Sequence, residues 1–100
     1  MNKIKKEIIR LLYHSSKGMR VKDLIIRVQE LRKLGSLEVR SKAYHILVMN
    51  LNKLKDKGFI KKIKYNGTDI NFNKDGETFW LMTKYAREKQ TKFFKSEGII

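Results

Sequence analysis

The stretch LVMNLNKLKDKGFIKKIKYNGTDINFNKDGETFW, residues 47–80, decides the fold of this chain. Its first part has the spacing of an amphipathic helix, because Leu47, Leu51 and Leu54 recur on one helical face. Gly58 follows that face, and glycine readily adopts the left-handed conformation that ends a helix. The pattern predicts a helix that buries its leucines and stops at this glycine.

The second part of the same stretch predicts a β-hairpin. Residues 59–65 change to the short extended period of a strand. Asn66-Gly67 is the strongest two-residue hairpin signal, since a type I′ turn needs positive φ at both central residues. A return strand is expected over 69–72, where two apolar residues lie two positions apart and share a face.

Apolar residues at helical spacing predict four helices in the whole chain. They are expected over 3–14, 22–33, 41–57 and 73–96, with a very short strand at 19–21. Asn2 and Asn73 are expected caps; for the third helix Ser36 and Ser41 are both acceptable caps, and Ser41 is favoured because it gives a helix of ordinary length. The last helix is longer than one small domain needs, since about 22 residues span ~33 Å. The predicted fold class is α+β, mainly α, with a core and hairpin over 1–72 and a C-terminal helix over 73–100.

The composition indicates a polyanionic partner. The 100 residues carry 24 Lys and Arg against 10 Asp and Glu, a net charge of +14. The pI of about 10.2 is typical of nucleic-acid binding, although anionic membrane surfaces also suit it. The chain has no cysteine and no apolar run of the ~18 residues that a membrane span needs. A soluble, cytoplasmic, nucleoid-associated protein is expected.

The order helix, helix, helix, hairpin, helix resembles the winged-helix DNA-binding family. The resemblance is clearest in LNKLKDKGFI, residues 51–60, with two leucines three apart, a glycine four later and an apolar pair opening the hairpin. INFNKDG, residues 70–76, resembles the end of the wing in MarR- and PadR-type regulators and in small archaeal and viral winged-helix proteins. The resemblance implies a transcriptional regulator, a repressor in the first instance. Its helix 41–57 would enter the major groove, with the wing 59–72 on the backbone or in the minor groove.

One side of the predicted third helix suits the reading of base edges. Rotation by about 100° per residue separates a side that packs inward from a side that faces out. The inward side holds Ala43, Tyr44, Leu47, Leu51 and Leu54. Side chains that can donate, accept or make apolar contacts to bases lie opposite. The expected base contacts are Ser41, Lys42, His45, Met49 and Asn52.

The hairpin is expected to hold the phosphate backbone. Residues 38–68 contain eight basic and two acidic residues, a local balance of +6. The expected backbone contacts are Arg40, Lys53, Lys61, Lys62, Lys64, Tyr65, Asn66 and Thr68. Phosphate contacts position a protein without selecting sequence. Lysines on an edge strand also discourage aggregation, which explains one or two of them but three within four residues less well.

Two apolar surfaces on the predicted last helix favour a homodimer, because together they exceed what one small core covers. The expected interface is Phe79, Trp80, Met82, Tyr85, Ala86, Phe93 and Phe94. A two-fold dimer would place its recognition helices about 34–36 Å apart on DNA. The alternative is a monomer whose last helix folds over the core.

The residues do not indicate catalysis, so we expect no enzyme, cofactor, metal or small-molecule ligand. There is no cysteine nucleophile, no histidine with an acidic partner and no glycine-rich phosphate loop. Asp69, Asp75 and Glu77 suit turns and a helix start better than a divalent ion. Two other functions stay open: a sequence-independent architectural DNA-coating protein, and a protein-interaction module that uses Val48 and Met49.

Overall fold

The computed structural model describes residues 1–34, 37–65 and 77–100, with the backbone alone described at 37–41, 65 and 77. The described residues form six helices and a two-stranded antiparallel sheet. The helices are α1 (Lys3–Tyr13), α2 (Val21–Arg27), α3 (Gln29–Arg32), α4 (Leu37–Asp56), α5 (Lys84–Lys89) and α6 (Thr91–Ser96). The strands are β1 (Ile60–Tyr65) and β2 (Glu77–Met82). The α+β, mainly α class predicted from the sequence is confirmed.

Helix α1 begins where the sequence predicts. The Asn2 side chain accepts a hydrogen bond from the Lys5 backbone N–H at 2.8 Å, which satisfies a donor that the helix cannot. Ile8, Ile9 and Leu12 are buried along one side. This side forms part of the core against which the other helices pack.

The single second helix predicted over 22–33 is wrong, because the helix is interrupted at Val28. Its backbone is extended there, with φ −77° and ψ 109°, and separates α2 from α3. The Gln29 N–H at the start of α3 donates to the Glu7 carboxylate at 2.7 Å. The cap therefore comes from α1, 22 residues away in sequence, and a local pattern cannot show it.

Helix α4 starts at Leu37, so the favoured start at Ser41 is wrong by four residues, and the alternative start after Ser36 agrees with this bound. Leucine, glutamate and arginine in the extra turn propagate helices well. The predicted stop at Gly58 is confirmed. Gly58 has φ +78°, its N–H donates to the Lys55 carbonyl at 2.9 Å, and the Phe59 N–H donates to Leu54 at 3.1 Å.

The second strand is β2, which lies within the segment predicted as the last helix. Strand β2 runs antiparallel to β1, with Ile60 opposite Met82 and Tyr65 opposite Glu77. The helix predicted through 77–82 is therefore wrong, since Thr78, Phe79 and Trp80 are residue types that favour strands. Residues 66–76 join the strands, so Asn66-Gly67 is not a two-residue connection between them. The predicted strand 69–72 and the cap Asn73 lie outside the described residues.

Two short helices, α5 and α6, replace the long C-terminal helix. Thr83 caps α5, because its hydroxyl accepts from the Ala86 N–H at 3.0 Å and donates to the Gly58 carbonyl at 2.6 Å. The helical path breaks at Gln90, with φ −116°. Phe94 and Ile99 are then buried in the same core as α1 and α4. The C-terminal residues therefore pack on their own subunit.

A single β-bridge ties the turn after α1 to the sheet, at the place where a very short strand is predicted. Met19 and Trp80 exchange two backbone hydrogen bonds, both of 2.8 Å. Gly18 makes this approach possible, because a Cβ on it would lie 2.5 Å from the Trp80 carbonyl oxygen. Its φ of +79° is also a conformation that side-chain-bearing residues avoid.

Replacing Gly18 with alanine is expected to lower the free energy of unfolding by at least ~1–3 kcal/mol, the cost of left-handed backbone alone. The clash with Trp80 adds to that cost. Gly98→Ala is the matched control, since Gly98 has φ +74° but nothing within 4 Å of an added Cβ. Urea unfolding of both variants measures the difference. Equal losses would show that the close approach to Trp80 contributes nothing.

Candidate nucleic-acid interface

Helix α4 separates a buried side from an exposed side much as predicted. Ala43, Leu47, Leu51 and Leu54 are buried in the core. The opposite side keeps its polar and basic residues in solvent. Its exposed members are Lys42, His45, Met49, Asn52, Lys53 and Asp56, with Val48 partly buried beside them. We call Lys42, His45, Met49, Asn52 and Lys53 the reading face.

Tyr44 departs from the prediction, because it lies on the surface and not in the core. Its side chain is 54% exposed, whereas its neighbour Ala43 is 2% exposed. The ring lines a groove together with residues at the start of α2, including Val21 and Ile25. A large ring at the edge of the inward-facing arc can turn outward into solvent. A helical projection gives the angular position of such a residue, but it does not show whether the ring is buried or exposed.

Apolar exposure on the reading face is centred on Met49. Its side chain is 43% exposed, which is unusual for a large apolar residue on a helix that otherwise buries its leucines. Asn50, the next residue, is buried and has a structural role. Its amide donates to the Ile46 carbonyl at 2.8 Å, and its oxygen accepts from Asn2 at 3.1 Å.

The β-ribbon divides its lysines between two faces. Residues opposite one another in the register share a face, and side chains alternate along each strand. Lys62 and Lys64 therefore share a face with Trp80 and Thr78, while Lys61 lies on the other. All three lysines are exposed. The lysines of β1 thus supply two cations, Lys62 and Lys64, on one face and one, Lys61, on the other.

Lys62 is held over an aromatic ring. Its ammonium lies 5.6 Å from the centroid of the Trp80 ring, which is within the range of a cation–π interaction. Trp80 is 4% exposed, so the ring that supports the lysine is itself fixed in the core. The charge is consequently positioned before any ligand binds.

Like charges also gather at the C-terminal end of α4. Burial lowers the pKa of Lys5, and the nearby ammonium groups of Lys53 and Lys57 lower it further. The contribution of Lys53 and Lys57 to the lowered pKa is mutual repulsion between cations. An anion placed among them would relieve that repulsion.

Several expected DNA contacts lie outside the described part of the chain. These are the side chains of Arg40, Ser41 and Tyr65, and the residues Asn66 and Thr68. The same holds for Asp69, Asp75 and the side chain of Glu77. The reading face and the lysines of β1 carry the site that the structure does describe.

Most of the residues expected at a dimer interface are inside the subunit. The exposed fractions of their side chains are 7% for Phe79, 4% for Trp80, 3% for Met82, 0% for Ala86 and 0% for Phe94. Tyr85 at 50% and Phe93 at 36% stay on the surface. The two-faced helix that favoured a homodimer is absent, because its residues form β2, α5 and α6. The five buried side chains would need an opened core to meet a second copy.

A second cluster, at the start of α2, was not predicted from the sequence. Arg20 and Asp23 form an ion pair with Nε and Oδ2 3.0 Å apart. Burial raises the pKa of Asp23, but the hydrogen bonds and charge of Arg20 outweigh it and hold the pKa below the usual value. The pair fixes the entry to α2 beside Tyr44.

Comparisons with protein-family models, with curated proteins and with solved structures give no match to this chain. Its function is therefore inferred from its own geometry and charge. Among the described helices, none combines the length and the apolar character that crossing a bilayer requires.

Proposed function

We propose that this chain is a winged-helix protein that binds duplex DNA and regulates transcription. The observation that carries the proposal is the exposed reading face of α4 together with the exposed lysines of the ribbon. The helices α1–α4, the bridge at Met19 and the antiparallel pair β1–β2 support the winged-helix arrangement. In this arrangement α4 enters the major groove and the ribbon lies along the backbone or in the minor groove.

The reading face supplies a set of base contacts. A major groove about 12 Å wide admits an α-helix with its side chains. Lys42 suits the O6 and N7 acceptors of guanine, and Asn52 suits a bidentate contact to adenine. Met49 offers an apolar contact for a thymine methyl group, which gives its exposure a function. His45 lies one turn from Met49 on the same side.

The remaining cations serve the backbone. Lys53 on α4 and Lys61, Lys62 and Lys64 on β1 are exposed and project from two neighbouring elements. Each phosphate that a lysine neutralises steepens the salt dependence of binding by about 0.9 log units per log unit of salt. These contacts fix the register of the protein on the duplex.

The alternative of sequence-independent coating gains little from the basic residues of α1. Lys3 pairs with Glu30 at 3.2 Å, and Lys6 lies 3.8 Å from Glu97. Arg10 donates to the carbonyls of the C-terminal turn at 3.2 and 3.3 Å. Three of the four basic residues of α1 are thus engaged with the chain's own groups, which favours one localised DNA surface over charge spread around the molecule.

Selection of bound duplexes from a random pool tests the proposal. We expect a defined consensus, with Lys42→Gln and His45→Ala each relaxing preference by ~1–3 kcal/mol at one position. Lys62→Gln and Lys64→Gln should weaken all duplexes alike. A palindromic consensus would indicate that two copies of the chain bind one site, whereas a single half-site would indicate that one copy binds.

If each of the four variants lost the same amount of affinity for every DNA sequence, the division between base and backbone contacts would be contradicted. A pool that yields no consensus, with tight binding throughout, would support the coating alternative. Absence of any DNA binding, together with salt-insensitive binding to a protein, would favour the protein-interaction alternative that the exposed Met49 also fits.

A further inference from the structure

A shallow groove lies between the start of α2, the first half of α4 and strand β2. It is lined by Arg20, Val21, Lys22, Ile25, Tyr44 and Thr78. Its volume of about 360 Å³ falls within the range of small-molecule pockets, ~300–1,000 Å³. The groove is thus large enough for one flat heterocycle.

The walls of the groove are apolar and aromatic, while its rim is basic. Val21 and Ile25 supply aliphatic surface, and the half-exposed ring of Tyr44 supplies an aromatic one. Lys22 is exposed at the rim. An apolar wall offers nothing to the phosphates and sugars of a paired duplex. An unpaired base gains by stacking on an aromatic ring while lysine meets its phosphate.

The groove opens beside the lysines of the ribbon. Thr78 lines the groove and is the register partner of Lys64. Cross-strand partners share a face, so Lys64 lies on the groove side of the ribbon. DNA whose backbone is held by Lys64 would therefore pass the mouth of the groove.

We infer that this groove receives one unpaired base of the bound DNA, stacked on Tyr44. The inference rests on the proposed DNA-binding function and adds a substrate class to it: duplexes that contain a bulged or extruded nucleotide. A small-molecule effector or a protein side chain in the groove are the competing occupants. The exposed Lys22 at the rim and Lys64 on the groove side of the ribbon favour a nucleic-acid occupant.

Binding of the full chain to two duplexes tests the inference. One duplex is fully paired, and the other carries a single unpaired 2-aminopurine in an otherwise identical sequence. We expect tighter binding to the bulged duplex by anisotropy, with 2-aminopurine fluorescence quenched by stacking. Tyr44→Leu should weaken bulged-duplex binding by about 5- to 100-fold and remove the preference, whereas Tyr44→Phe should retain it.

Tyr85→Leu is the matched control, because Tyr85 is a comparably exposed tyrosine, 50% against 54%, outside the groove. It should leave the preference unchanged. Equal affinity of the unaltered chain for both duplexes, or unquenched 2-aminopurine, would overturn the inference even if duplex binding holds. Binding of the bulged duplex alone, dependent on Tyr44, would uphold the groove and reject the duplex proposal. Failure to bind either DNA would overturn both.

Discussion

Replacing Lys53, Lys61, Lys62 and Lys64 together with glutamine is expected to flatten the salt dependence of DNA binding by up to ~3.6 log units per log unit of salt. The reason is that each lysine in contact with a phosphate releases one condensed counterion, and its loss removes that release. All four side chains are exposed and belong to the proposed interface. Fluorescence anisotropy with a labelled duplex over a series of salt concentrations measures the slope.

The chain offers a control of identical charge. Lys84, Lys89, Lys92 and Lys95 are also exposed, but they lie on α5 and α6. Their joint replacement with glutamine lowers the net charge by the same amount and should leave the slope almost unchanged. Equal flattening by both sets would mean that net charge alone drives binding, and the localised interface would be rejected.

Phe94→Ala is expected to lower the free energy of unfolding by about 3–5 kcal/mol, as for other buried aromatic residues. Phe94 is 0% exposed and meets the Phe59 ring edge to face at 5.3 Å between centroids. Its removal opens a cavity between α6 and the start of the ribbon. Urea or thermal unfolding followed by circular dichroism measures the loss.

Phe93→Ala is the matched control, since Phe93 neighbours Phe94 on the same helix but is 36% exposed. Its loss should be clearly smaller, because part of its ring already faces water. Similar losses of stability for the two variants would contradict the packing of α6. They would favour a C-terminal helix that buries both rings against another surface.

The elements that the sequence predicted well are governed by local rules. Leu47, Leu51 and Leu54 recur at helical spacing, and this alone places them in the core. Gly58 ends α4 because its left-handed backbone forms the hydrogen bonds of a helix stop. Of the residues expected to read bases, Lys42, His45, Met49 and Asn52 are all exposed on one side, as the same periodicity requires.

Two of the wrong predictions depend on contacts that are distant in sequence. Phe79 and Met82 fit a helical stripe with Ala86 when read alone, but pairing with β1 makes them part of a strand. The break at Val28 depends on Glu7 in another helix. Such pairings override a local period, and a single sequence does not display them.

The most direct test of the central claim is an amide chemical-shift titration of the ¹⁵N-labelled chain with a short DNA duplex. The DNA-binding proposal predicts that the largest shifts fall in α4 from Lys42 to Lys53 and in β1 from Lys61 to Lys64, with α5 and α6 nearly unchanged. Shifts confined to α5 and α6, or none at a salt concentration where cation–phosphate contacts persist, would contradict it.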